Sequence, residues 1–378
     1  MSDVAEIEIG LGKSARRGFA LSDLSIVPSR RTRDPEDVDI SWQIDAYRFE
    51  LPILAAPMDS VMSPTTAIEF GRQGGLGVLN LEGLWARYED PGLLYEELAS
   101  LPEEKATMRL QELYLEPVRP VLIESRLAEI RAAGVTAAGA VSPQRAEQLM
   151  PSVLRAEPDL LVISGTVVSA EHVSRNREPL NLKRLIRGLP VPVIVGGCAS
   201  YQAALHLMRT GAAGVLVGIG AGMSSTIRRV LGVGVAQATA IADVRAARMR
   251  HLDETGVYCH VIADGGMATG GDMARAIVCG ADAVMIGAPL AGAIEAPGRG
   301  WHWSMSAGHP TLPRGARVRV GAVGSIAEVL NGPAHDAHGH LNLAGGLRRA
   351  MATCGYETLK DFQKAEVTVS TTGREGDA

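Results

Sequence analysis

The sequence predicts an α/β protein folded as a single (β/α)8 barrel, and three observations carry that reading. Eight short apolar runs, each ending in Gly, Asp, Asn or Ser, are separated mostly by stretches with helical spacing. The length, 378 residues, is long for one ordinary core but normal for such a barrel. The composition is 46% hydrophobic but only 4% aromatic, with 43 glycines, which suits close packing and many tight βα turns. Strand, helix, strand, repeated, implies parallel pairing with right-handed crossovers, and closing the sheet on itself is the economical solution.

In chain order the strands read "LPILAAPMDS", "GGLGVLNLEG", "VTAAGAVSP", "DLLVISG", "VPVIVGG", "AGVLVGIG", "CHVIADGG" and "ADAVMIGAP". An internal echo agrees with them: "TGAAGVLVG" (Thr210 to Gly218) matches "CGADAVMIG" (Cys279 to Gly287), each a helix stop, a buried strand and a terminal glycine. After the seventh strand, Met273, Ala276 and Ile277 follow i, i+3, i+4 spacing, and Gly280 stops that helix. From Trp301 to His340 the rhythm breaks into Gly, Pro and His, which reads as a lid or a subunit contact. The chain is therefore expected to be one barrel over residues 1–369, including an N-terminal arm and an irregular C-terminal flap (about 292–343). Residues 370–378 form an expected disordered tail.

Net charge is −5, which argues against a nucleic-acid surface, and the basic run "PSRRTR" is short enough to be a solvated loop or a subunit contact. Cys198, Cys259, Cys279 and Cys354 contain no CxxC pair, so neither a disulfide framework nor a zinc site is expected. No basic n-region precedes an apolar h-region, and the apolar stretch near Ala212 to Gly222 is too short and glycine-rich to span a bilayer. A soluble, cytoplasmic protein without a membrane partner is expected.

In barrels the reacting groups sit at the C-terminal strand ends, and phosphate is often held after strands seven and eight. Here Asp264 leaves strand seven, Gly265 and Gly266 offer bare amides, and Thr269 to Asp272 start a helix whose N-terminus attracts an anion. Gly287 offers another amide from strand eight. A carboxylate beside a phosphate cradle suits a ribose monophosphate, with Asp264 on the sugar hydroxyls; the alternative is that Asp264 caps a turn. After strand six, "GVLVGIGAGMSSTIRRVLG" gives a loop with Gly218, Gly220 and Gly222, then Ser224 and Ser225, shaped to let backbone approach a ligand. Cys198, at a catalytic-face strand end, is either small packing or a nucleophile. His335, Asp336, His338 and His340 have the spacing of metal ligands, or are a solvated loop.

Over most of its length the chain resembles the IMP dehydrogenase and GMP reductase family, most closely the actinobacterial IMP-dehydrogenase-related paralogues that lack CBS domains. The resemblance rests on "LSDLSIVPSRRTRDPEDVDI", "AAPMDSVMSP", "GGLGVLN", "VGIGAGMSSTIR", "VIADGGMATGGDMARAIVCGADAVMIG", "EAPG" and "GGLRRAMATCGY". The segment after "VLNLEG" leaves no room for CBS modules. The family implies a purine 5′-monophosphate substrate (IMP, XMP or GMP), NAD or NADP as cofactor, a homotetramer or higher assembly, and a place in guanine nucleotide metabolism.

That resemblance also implies site residues. A family cysteine whose thiolate attacks purine C2 aligns with Ser225, and a catalytic threonine two residues on aligns with Ile227. Phosphate-binding serines align with Met223 and Ala288, and Ser224 or backbone amides are left to compensate. Met58 and Asp59 match the family's "PMD", while Gly220 and Gly222 match glycines whose carbonyls hold potassium. Glu295 aligns with a proton-handling glutamate of GMP reductases, or is a loop charge. On the cofactor side, Ser164 replaces an aspartate, Cys198 replaces an asparagine, and Gly218, after strand six, is the third residue. The family's water-activating Arg-Tyr pair has no copy between Trp301 and His340. Two functions follow: a purine-nucleotide oxidoreductase with an altered catalytic loop, or a catalytically silent, regulatory nucleotide-binding paralogue.

Overall fold

A computed structural model describes residues 6–175, 178–312 and 315–370. The eight sequence-predicted strands form one closed parallel barrel: β1 (Ile53–Ala55), β2 (Leu76–Asn80), β3 (Ala138–Val141), β4 (Leu160–Ser164), β5 (Val193–Cys198), β6 (Gly214–Val217), β7 (His260–Asp264) and β8 (Ala283–Ile286). Each pairs with the next, and β8 closes on β1 through Val284–Ile53, Met285–Leu54 and Ile286–Ala55. The expected tail lies outside the described residues apart from Ser370.

Alternation along each strand sorts side chains into two cores. Leu54, Leu76, Val78, Leu160, Val162, Ile194, Leu216, Ile262 and Met285 fill the barrel interior. Ile53, Leu79, Leu161, Val195, Val215, Val261 and Val284 face the helices. A hairpin before β1 (Trp42–Ile44 and Tyr47–Phe49) plugs the N-terminal mouth. There Trp42 stacks on Phe49 at 5.5 Å, and its Nε1 donates to His260 Nδ1 at 3.1 Å. With that mouth closed, the C-terminal strand ends are the open face. Also on the N-terminal side, buried Asp282 accepts from Arg248 Nη1 (2.8 Å), Tyr258 OH (2.7 Å) and the Val261 amide (2.8 Å), tying β8 to β7 and to the helix Gln237–Thr255.

The segment from Trp301 to His340 is more ordered than its composition suggests. Trp301–His302 pairs antiparallel with Val318–Arg319. The helices Gly92–Ser100 and Glu103–Leu113, which follow β2, clasp this hairpin. Trp303 is buried among Leu84, Tyr95, Leu98, Leu110 and Leu113. Trp301 Nε1 donates to Ala99 O (3.1 Å), Arg317 Nη2 donates to Leu101 O (2.7 Å), and the Arg317 guanidinium lies 4.0 Å from the Trp301 ring centroid. Sequence periodicity missed the clasp because the contacts are tertiary: a few aromatic rings, spaced far apart in the chain, do the anchoring.

Candidate functional site

The end of β7 is the centre of the open face. The Asp264 carboxylate accepts no hydrogen bond among the described residues, and desolvation pushes it up to about 7. Gly265 (φ +77°) and Gly266 (φ +76°) follow in the left-handed region that glycine alone enters freely. A Cβ on Gly265 would lie 3.0 Å from the Gly222 amide nitrogen and 3.2 Å from Gly222 Cα, so the loop after β6 rests directly on this turn. Gly218 comes closer still: a Cβ there would stand 2.2 Å from Asp264 O. Gln237 stitches both strand ends together, its Nε2 donating to Val217 O (2.7 Å) and to Asp264 O (3.2 Å). Behind the turn, Thr269 caps the helix Gly270–Cys279 in a reciprocal box with Asp272. The glycine turn, that helix start and the β6 loop therefore meet at one surface, but the Gly265 amide, expected bare, donates to Met285 O (3.2 Å) across the strand pair.

Within the loop, the Ser225 amide donates to Gly222 O (3.0 Å), and the Ser225 hydroxyl accepts from the Ile227 amide (3.4 Å). No base reaches this hydroxyl among the described residues. Ser224 is buried, and its carbonyl accepts the Ala316 amide at 2.9 Å, so the flap is sewn to the loop. Met223 is exposed and Ile227 buried. The Gly222 carbonyl accepts the Ser225 amide.

At the end of β8, Gly287 precedes the short helix Ala288–Ala291. A Cβ on Gly287 would meet Met58 Sδ at 3.5 Å and the His302 ring at 3.1 Å (Cε1) and 3.4 Å (Nε2). Met58 thus lies at the site, while Asp59 turns away: it is buried and accepts from Asn80 Nδ2 (3.1 Å), the Leu84 amide (2.9 Å) and Tyr114 OH. His302 escaped the sequence reading because it sat inside the segment taken as an irregular flap. Its only signal there was a polar residue held between two tryptophans, "WHW".

Three candidates sit apart from the glycine turn. Cys198 faces the helix layer: it is 1% exposed, its thiol donates to Leu216 O (3.5 Å), and burial pushes it up to about 12, so it is packing and not a relocated nucleophile. The same orientation keeps its side chain off any cofactor on the open face. His338 and His340 stand 5.8 Å apart, ring to ring, while Asp336 Oδ1 accepts the His338 amide (2.5 Å). No group of three potential ligands converges among the described residues, so the metal reading falls. Glu295 is exposed and accepts the Ile326 amide at 2.9 Å; it lines a separate cleft of about 540 Å³ with Ser63, Thr65, Trp85, Tyr95 and Arg299, none of which belongs to the glycine turn.

On the cofactor side, Ser164 ends β4 half-buried, its hydroxyl without a hydrogen bond among the described residues. Beside it, Gly197 is packed so tightly that a Cβ would lie 2.5 Å from Gly218 O and 3.3 Å from Thr166 O. No helix among the described residues is long and apolar enough to cross a membrane.

Comparison with known proteins agrees with the geometry. Residues 18–376 match the IMP dehydrogenase / GMP reductase domain. An uncharacterized oxidoreductase of Mycobacterium tuberculosis (strain ATCC 25618 / H37Rv) is 54% identical over 372 residues, 96% of this chain and 99% of the relative. The inosine-5′-monophosphate dehydrogenase of Methanocaldococcus jannaschii is 26% identical over 465 aligned positions, 93% of this chain and 92% of the relative. The crystal structure of an IMP dehydrogenase/GMP reductase-like protein from Corynebacterium glutamicum superposes with a TM-score of 0.92 at 48% identity, covering 97% of this chain and 98% of that one.

Proposed function

We propose, from the premise that the chain belongs to the IMP dehydrogenase/GMP reductase family, that it is an NAD- or NADP-linked purine-nucleotide oxidoreductase of guanine nucleotide metabolism, working as a homotetramer on IMP, XMP or GMP. One observation carries this reading: the β6 loop packs on Gly265 and Gly266 beside an unpartnered Asp264, making a ready cradle for a ribose monophosphate. Asp264 accepts the ribose hydroxyls. The amides of Gly266 and Gly287, with the start of the helix Gly270–Cys279, take the phosphate, while the Gly265 amide stays on Met285 O (3.2 Å) and its bare Cα lets the β6 loop close on the turn. Met58 lies under the purine. Ser164, at the end of β4 with its hydroxyl unbonded among the described residues, orients the nicotinamide, which supplies hydride acceptance or donation when bound. Glu295, held by Ile326, has no contact with the purine in this reading.

A second reading, a regulatory nucleotide-binding paralogue, is favoured by Ser225. Its hydroxyl accepts from Ile227, and no base among the described residues activates it. Thermal-shift titration with IMP, XMP, GMP, NAD and NADP, followed by cofactor absorbance, tests both. Stabilisation with turnover supports the oxidoreductase, and stabilisation without turnover supports the paralogue. No stabilisation by any purine nucleotide contradicts both.

A further inference from the structure

Ser225 is not the only departure from the family's donor set: the residues aligned with two phosphate-binding serines are Met223, which is exposed, and Ala288, which has no hydroxyl. A dianion held by backbone amides alone lacks a charged partner. The structure puts one side chain where such a partner is needed. His302, 2% exposed, lies against Gly287 at the end of β8, immediately before Ala288.

The hydrogen bonds fix which nitrogen is free. Ser60 Oγ donates to Trp303 O (3.1 Å) and accepts from the Trp303 amide (3.1 Å), which spends its one proton. The contact between Ser60 Oγ and His302 Nδ1, at 3.2 Å, is then satisfied by Nδ1–H donating. Nε2 accepts no hydrogen bond among the described residues, and it is the ring nitrogen beside Gly287.

We propose that His302 is a phosphate-binding residue of this site, its Nε2 taking up a proton from solvent as the nucleotide arrives and donating it in a hydrogen bond to the 5′-phosphate. This rests on the nucleotide-binding reading above and adds to it the residue that replaces the missing serines. The contacts of the ring bring no charge to it. Gly287 ends β8, Met58 and Ser60 follow β1, and Trp303 continues the flap strand, all uncharged. Asp59, between Met58 and Ser60 in sequence, is turned to Asn80, Leu84 and Tyr114. Burial alone pushes the imidazole down to about 4, so it is neutral near pH 7 until an anion is set against it. Phosphate binding and proton uptake are therefore one event.

The test is calorimetry of the full chain and of His302→Asn, which keeps a donor for Ser60. The probes are IMP, inosine and ribose 5-phosphate, near pH 8 in two buffers of different ionisation heat. The wild-type protein should take up a proton with IMP and none with inosine. His302→Asn should lose about 10- to 100-fold in IMP affinity, as expected for a charge-assisted hydrogen bond, with inosine unchanged and proton uptake gone. Equal losses for IMP and inosine, no loss, or uptake persisting in the variant each overturn the proposal. If the variant does not fold, absence of proton uptake by the wild type with IMP overturns it, and uptake with IMP but not inosine upholds it. If the wild type binds neither IMP nor inosine, GMP and XMP replace IMP as probes with guanosine and xanthosine in place of inosine, and no binding by any of the three nucleotides means the purine reading fails. Ribose 5-phosphate then decides for His302: bound by the wild type and weakened in the variant upholds it, while bound by neither or equally by both overturns it.

Discussion

At residue 225 the chemistry turns on one atom. A thiol ionises near neutrality with a pKa of about 8.5, whereas a serine hydroxyl hardly ionises without a base. Since the Ser225 hydroxyl accepts only the Ile227 amide among the described residues, Ser225→Cys should restore a covalent adduct with a 6-chloropurine ribotide, seen as a mass increase on the intact protein and blocked by excess IMP. Restoration is expected to be fuller with Ile227→Thr alongside. No adduct in either variant means that residue 225 no longer lies beside purine C2. Asp264 gives a pH prediction. Its pKa is raised on folding, from the ordinary carboxylate range to about 7, so between about pH 4 and 7 the folded state holds a proton that the unfolded state has released. Stability from this group is full below pH 4 and falls as pH rises to 7. Asp264→Asn should therefore raise stability by about 1–3 kcal/mol near pH 7.5 and leave it unchanged near pH 4, measured by urea unfolding. An equal gain at both values would show that the carboxylate is not desolvated.

The elements divide into those that hold the barrel and those that cover the site. Arg248 and Asp282, 3% and 2% exposed in their side chains, join the helix Gln237–Thr255 to β8 on the side away from the site. Arg248→Met leaves a buried carboxylate short of its main cation, although Lys360 Nζ also reaches Asp282 at 2.5 Å, and should cost about 3–5 kcal/mol in urea unfolding. Nucleotide affinity under native conditions should not move; a parallel loss of affinity would mean that the two faces of the barrel are coupled. The flap depends on Arg317, which bonds the C-terminal end of the helix Gly92–Ser100 and stacks on Trp301. Arg317→Ala should speed amide hydrogen exchange across residues 301–320 while leaving β1 to β8 protected. Unchanged exchange there would mean that the aromatic cluster alone holds the flap.

For the whole molecule, the barrel was legible because each strand is a local pattern: an apolar run with a breaker after it, as in "VIADGG", needs no distant residue to be recognised. The turn at Gly265 and Gly266 was legible for the same reason, since two glycines after a strand are adjacent letters; that the Gly265 amide is spent on Met285 O was not, because that partner lies on the next strand. What was hidden depends on contacts between distant segments. Cys198 looked like a site residue until its burial between strand and helix was visible, and His302 looked like loop until the hairpin carried it to Gly287. A chain without a thiolate or a water-activating pair at this cradle is expected to turn IMP over slowly, below about 1 per second, by cofactor absorbance; an ordinary enzyme rate would require a nucleophile other than Ser225. The central claim is that a purine 5′-monophosphate sits between Asp264 and Gly287, and calorimetric titration of the wild type and Asp264→Ala with IMP and GMP tests it most directly. The account predicts that at least one nucleotide binds and that the variant weakens it by about 1–3 kcal/mol through lost ribose hydrogen bonds. Unchanged affinity in Asp264→Ala, or no binding by the wild-type protein, would contradict it.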